Sequence, residues 1–247
     1  MHKPTRFKRA ALALLAAAAL PTLQVGQLHA QIFNYTWDTN SSGSWNSAGN
    51  WSGGSFFFPI PNNFTSSATL GDTITISGGI NLKELNIDAD EAYTVQGGSI
   101  TFGQGFLAPL PEINISDADG TALHQLNSSV GLAANLTISQ TSASPFSING
   151  AISGASSLTK PGSGTLRFGG TAANSYSGPT IISGGTLELA KSSGTNAVAG
   201  SSITINSGGT LLLGNNNQIA NSTNLTLDGG TFSTGGNNET LGTLTLS

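Results

Sequence analysis

Few side chains in this chain have the types and spacing that chemistry requires. Of its three histidines, His2 and His29 fall in an N-terminal stretch that reads as a cleavable leader, leaving His124 in "TALHQLNS". A Ser-His-Asp triad would have to recruit that imidazole as its general base. No serine sits in a G-x-S-x-G turn, so His124 reads as a surface residue of a polar stretch. Carboxylates gather twice, as Asp88, Asp90 and Glu91 in "NIDADEA" and as Asp117 and Asp119 in "ISDADGTA". Hard oxygen ligands suit Ca²⁺, but such a site takes about six to eight oxygens, and "DADG" lacks the longer loop with its closing glutamate. The competing reading is an aspartate turn whose carboxylate accepts backbone N–H groups.

A polysaccharide lyase would need a base and neutralising cations near those acids. After residue 30 the cations are Lys83, Lys160, Arg167 and Lys191, and they are scattered. The sign of such an enzyme would be Asp88, Asp90, Asp117 or Asp119 converging with Lys83 in a groove. A hydrolase needs two carboxyls at a defined separation, which Glu84 and Asp88 would reach only by the way the chain folds. No catalytic, cofactor-binding or metal-binding residue is therefore assigned, and a non-enzymatic protein is expected. Trp37, Trp45 and Trp51 lie among Asn, Ser and Gly turn formers and admit two readings. One is an aromatic platform that binds carbohydrate. The other, adopted here, is a cap over the open end of an apolar core.

The elements that must position these groups are announced by a repeat. "TIISGGTLELA" at 180–190 is followed by "SITINSGGTLLLG" at 202–214 and "NLTLDGGTFSTG" at 224–235, with "GSGTLRFGG" at 162–170 before them and an earlier copy, "TVQGGSITFGQ", at 94–104. The anchors Gly164, Gly185, Gly209 and Gly230 return every 21 to 24 residues, a period typical of solenoids whose units bury their apolar faces only by stacking. Residues two apart in a strand share a face, so Leu187 and Leu189, Ile203 and Ile205, Leu211 and Leu213, and Leu225 and Leu227 form a core stripe. Thr186, Thr204, Thr210 and Thr226 then point outward as stacked β-branched residues. The glycine pairs themselves allow either a two-residue hairpin loop, hence an antiparallel sandwich, or a corner between the faces of a coil.

Composition narrows the class. Glycine supplies 33 of 247 residues and charged residues only 8%, which fits a β-rich solenoid with uncharged polar faces better than a disordered chain. Lys3, Arg6, Lys8 and Arg9 precede an apolar run from Ala10 to Leu20, the length of a signal-peptide core and too short for a membrane span. Cleavage after Ala30 would leave 4 basic against 12 acidic residues, a net charge of −8 that excludes nucleic acid as an expected partner. Without cysteine, neither disulfides nor thiolate metal sites hold the fold.

From Pro161 to Ser247 the chain resembles the autotransporter-associated β-strand repeat. Leu166, Phe168, Gly169, Asn174, Tyr176, Ser177, Gly178, Thr180, Ile182, Gly185, Thr186 and Leu187 follow that repeat's order, with Pro179 as a departure. The resemblance implies a right-handed parallel β-helix in a bacterial secreted or surface protein. The expected organisation is a signal peptide over 1–30, a Trp-rich N-terminal cap over 31–69, irregular coils over 70–160 and regular repeats over 161–247. The expected function is a structural stalk, passenger or adhesin segment that meets a surface glycan or protein ligand. No membrane span is expected, and the absence of a barrel or sorting tail after "LGTLTLS" leads to two expectations: a longer parent protein, or self-association through the last coil.

Overall fold

The computed structural model describes residues 36–37, 43–44, 51–52, 63–65, 72–88, 92–103, 110–117 and 120–247. The expected leader over 1–30, Trp45, Asp90, Glu91 and Asp119 lie outside the described residues. Within them the regular elements are strands, and almost every pairing is parallel. The expected β-solenoid is thus observed, and the antiparallel sandwich is not.

Each coil has three faces. The first is a continuous ladder of Asn63–Thr65, Glu84–Asp88, Glu112–Ser116, Leu136–Gln140, Leu158–Lys160, Thr180–Ile182, Ser202–Asn206, Asn224–Asp228 and Leu244–Leu246. Seven turns therefore separate the strand at Glu84 from the strand at Leu244. The second face begins with the first halves of Asp72–Leu82 and Tyr93–Phe102 and continues through Gln125–Leu126, Phe146–Ile148, Thr165–Phe168, Gly185–Leu189, Gly209–Leu213 and Thr231–Ser233. The third face is made by the second halves of the two long strands, then by Ser129–Leu132 and Ile152–Gly154. Beyond Gly154 it shrinks to single bonds: Ser175 and Ser177 donate their N–H groups to Ile152 O and Gly154 O, and Val198 bridges Ile219.

Alternation within these strands places the core. Leu187, Leu189, Ile203, Ile205, Leu211, Leu213 and Leu225 are buried, and Leu227 packs against them partly buried. Leu158, Thr180, Ile203 and Leu225 occupy one register column, and Leu166, Leu187, Leu211 and Phe232 another. Each buried Leu or Ile contributes about 1.5–3 kcal/mol by leaving water, so the stacked stripe can hold a fold that has no disulfide. Outward, Thr165, Thr186, Thr210 and Thr231 stack coil upon coil in the register the repeat anticipated.

The glycine pairs are corners. Gly184–Gly185, Gly208–Gly209 and Gly229–Gly230 all join the first face to the second, and the strands on either side pair with neighbouring coils instead of with each other. The copy at 94–104 needs correcting: Gly97–Gly98 joins the second face to the third, inside Tyr93–Phe102. At Gly98 φ is +38° and a Cβ would overlap Gly78 O, so the same dipeptide serves a different bend for the same steric reason.

At the N-terminal side, Thr36–Trp37 pairs antiparallel with Trp51–Ser52 and parallel with Asn63. Among the described residues no helix is long and apolar enough to cross a membrane.

Candidate functional site

The residues of the repeat motif run along the third face and its bend into the first, from Asn174 beside Ile152 to Thr180 at the start of the next first-face strand. Asn174 is buried and reaches both neighbouring coils: its Oδ1 accepts the Ile152 N–H at 2.9 Å and its Nδ2 donates to Ala197 O at 2.7 Å. Its amide thus replaces the ladder bonds that a strand would make there, since it carries both a donor and an acceptor. Tyr176 lies wholly inside, its hydroxyl 2.7 Å from Thr180 Oγ1, and burial pushes that phenol well above its ordinary pKa. Thr180 stands in the core column between Leu158 and Ile203, where a hydroxyl would be unsatisfied without Tyr176. Gly178 completes the bend, because a Cβ at this position would run into Ser156 O of the preceding coil. A spacing that in sequence looks like a signature for chemistry is a device for stacking coils.

Two lysines, whose role no motif or spacing announces, fill the other corners. Lys160 is fully buried and donates to Gly162 O at 2.6 Å and Gly184 O at 2.9 Å, so its ammonium joins its own coil to the next. Lys191 is also fully buried and reaches back to Gly169 O at 2.8 Å and Gly150 O at 3.4 Å. Neither appears in an ion pair; among the described residues the one salt bridge is Arg167 to Glu188, 3.7 Å apart across adjacent coils at the surface. Burial without a carboxylate penalises the charged form, and both lysines are lowered to a pKa of about 8. Gln140 and Gln218 fill corners in the same way with neutral amides, Gln218 Oε1 accepting the Lys191 N–H at 2.8 Å.

Among the described residues, Asp88 and Asp117 do not converge with Lys83. Asp117 turns both oxygens onto its own loop, accepting Gly120 N–H at 3.0 Å and Ala122 N–H at 2.8 Å, which is the aspartate turn. Asp88 accepts the Ser116 hydroxyl at 2.9 Å. Among the described residues, Lys83 borders a groove with Glu84, Leu110 and Glu112, so the described acids beside it are Glu84 and Glu112 and not Asp88 or Asp117. Glu84 and Glu112 are register partners, and Asn86 donates to Glu84 Oε1 at 2.7 Å. No group of three or more metal-ligating side chains occurs among the described residues.

His124 departs from its expected place. It is buried, its Nδ1 accepts the Tyr93 N–H at 3.2 Å, and its ring stacks on Tyr93 with centroids 6.2 Å apart. The imidazole closes a gap between coils in an otherwise polar stretch, which no local pattern announces.

In comparison with known families, residues 158–189 fit the passenger-associated-transport-repeat. That span begins at the strand carrying Lys160, contains Asn174, Tyr176, Gly178 and Thr180, and ends with Leu189. The resemblance to an autotransporter-associated repeat is thus shown for this part of the chain. No curated protein and no solved structure matches.

Proposed function

We propose that this chain, which carries a passenger-associated-transport-repeat at 158–189 within a parallel β-solenoid, is an exported passenger segment with a structural, non-enzymatic role. The observation that carries the reading is the use made of the motif itself. Asn174, Tyr176, Gly178 and Thr180 are all engaged in joining coils, which is the work of a scaffold. Outward-facing ladders such as Thr165, Thr186, Thr210 and Thr231 supply an uncharged polar surface suited to a surface glycan or protein ligand. The basic and then apolar N-terminal stretch supports export to the cell surface or the medium.

The test is to express the full chain in a bacterium with a short epitope at Gly194, where a Cβ would meet open space. Labelling of intact cells or recovery from the medium, with an N-terminus beginning after the leader, is the expected result. Retention in the cytosol with the leader uncleaved would overturn the reading. Release of sugars from a polysaccharide panel, lost on Glu84→Gln and Glu112→Gln, would instead favour a hydrolase working in the groove beside Lys83.

A further inference from the structure

We infer that the coil beginning at Leu158, with the coils on either side of it, is the locking unit of the solenoid: the segment that stays closed when coils nearer the ends open. Two corners and the third face of this coil are tied to neighbours by buried side chains. Lys160, itself buried, joins it forward to the half-buried Gly184 O at the first corner. Lys191 of the following coil reaches back to Gly169 at the second corner and on to Gly150 one coil further. Asn174 joins it both backward to Ile152 and forward to Ala197 on the third face. Lys160, Asn174 and Lys191 are each at most 2% exposed.

Other coils are linked differently. Asn114 to Asn86, Ser116 to Asp88, Asn149 to Gln125 and Asn127, Asn206 to Ser183, Asn237 to Leu213 and Thr243 to Asn224 are cross-coil bonds at half-buried or exposed positions. Water competes for each of them, so each contributes little against opening. Buried ties elsewhere are fewer at any one coil: the coil beginning at Ser202 has two, the Lys191 N–H to Gln218 and Thr223 to Gly200, and the Tyr93 N–H donates to His124. Opening the coil at Leu158 leaves several buried donors and acceptors without partners at once, whereas opening an outer coil exposes groups that water can satisfy. Repeat arrays open from weakly coupled units, so this contrast sets an order of opening along the chain. The inference rests on bonds between coils and not on the export reading, so either can fail without the other.

Native-state amide exchange of the full chain, read by mass spectrometry, tests it. Peptides covering Leu158–Phe168 and Thr180–Leu189 are expected to be the slowest, with those over Glu84–Phe102 and Asn224–Leu246 exchanging about tenfold or more faster. Asn174→Ala should speed exchange in the first pair by about 10- to 100-fold and leave Glu84–Phe102 unchanged. Should Asn174→Ala fail to fold, Lys191→Met reports on the same unit from the second corner. Asn135→Ala removes an exposed cross-coil bond to the Ser157 N–H and should change exchange by less than about threefold. Uniform protection along the chain, a maximum in another coil, or equal effects of Asn174→Ala and Asn135→Ala would overturn the inference.

Discussion

Lys160 and Lys191 carry the least expected chemistry in the molecule. An ammonium held by backbone carbonyls, in no ion pair among the described residues, ties coils together at a desolvation cost that its charged form bears. Both groups have a folded pKa of about 8, below the ordinary lysine value of 10.5. Between those two values the unfolded chain binds more protons than the folded one, so stability rises with pH across that window and is flat below it. The melting temperature should therefore climb from pH 8 towards pH 10 by more in the wild type than in a Lys160→Met/Lys191→Met variant. Equal slopes in the two proteins would mean that the amines are not desolvated as described.

Corners, more than strands, set the steric limits of a coil. Gly178→Ala places a methyl group against Ser156 O, which can yield only if two coils separate, and should cost about 3 kcal/mol in urea denaturation. Gly194→Ala meets no atom but holds φ at +77°, so it should cost about 1 kcal/mol, the intrinsic penalty of that conformation. A similar loss for both would show that the third corner is looser than its packing suggests. Along the strands, apolar alternation made the stripe of Leu187, Ile203, Leu211 and Leu225 legible, because period-two patterning leaves one burial choice. The corners were half legible. Glycine pairs mark where the chain bends, yet Gly97–Gly98 and Gly208–Gly209 look alike in sequence and lie at different corners, since the face that follows is chosen by the neighbouring coil.

Taken across its coils, the solenoid is a nearly one-dimensional stack in which each strand pairs with those of the adjacent turns and Lys191 reaches a coil further. Removing residues 203–224 would bring Leu225, Leu227, Gly230 and Thr231 into the places of Ile203, Ile205, Gly209 and Thr210, keeping every column in register. Such a deletion should give a folded protein with an unchanged β-type circular dichroism spectrum per residue. Removing 203–213 instead takes out half a coil and should abolish cooperative unfolding. If both deletions behave alike, the coils are not the interchangeable units that the columns describe.

Period, face and class were present in the order of residues alone. The 21- to 24-residue return of glycine anchors required stacking, and alternation assigned inward and outward positions, because both are local consequences of strand geometry and of the need to bury apolar surface. Contacts between residues some 20 to 40 positions apart were not. The burial of His124 against Tyr93, the ties of Lys160 and Lys191, and the two-way bridge at Asn174 depend on which coil lies above and below. A polar side chain carries no mark of the carbonyl it will meet. Only the stacked coils bring the two together, and with them the division of this chain into faces that meet water and corners that hold it closed.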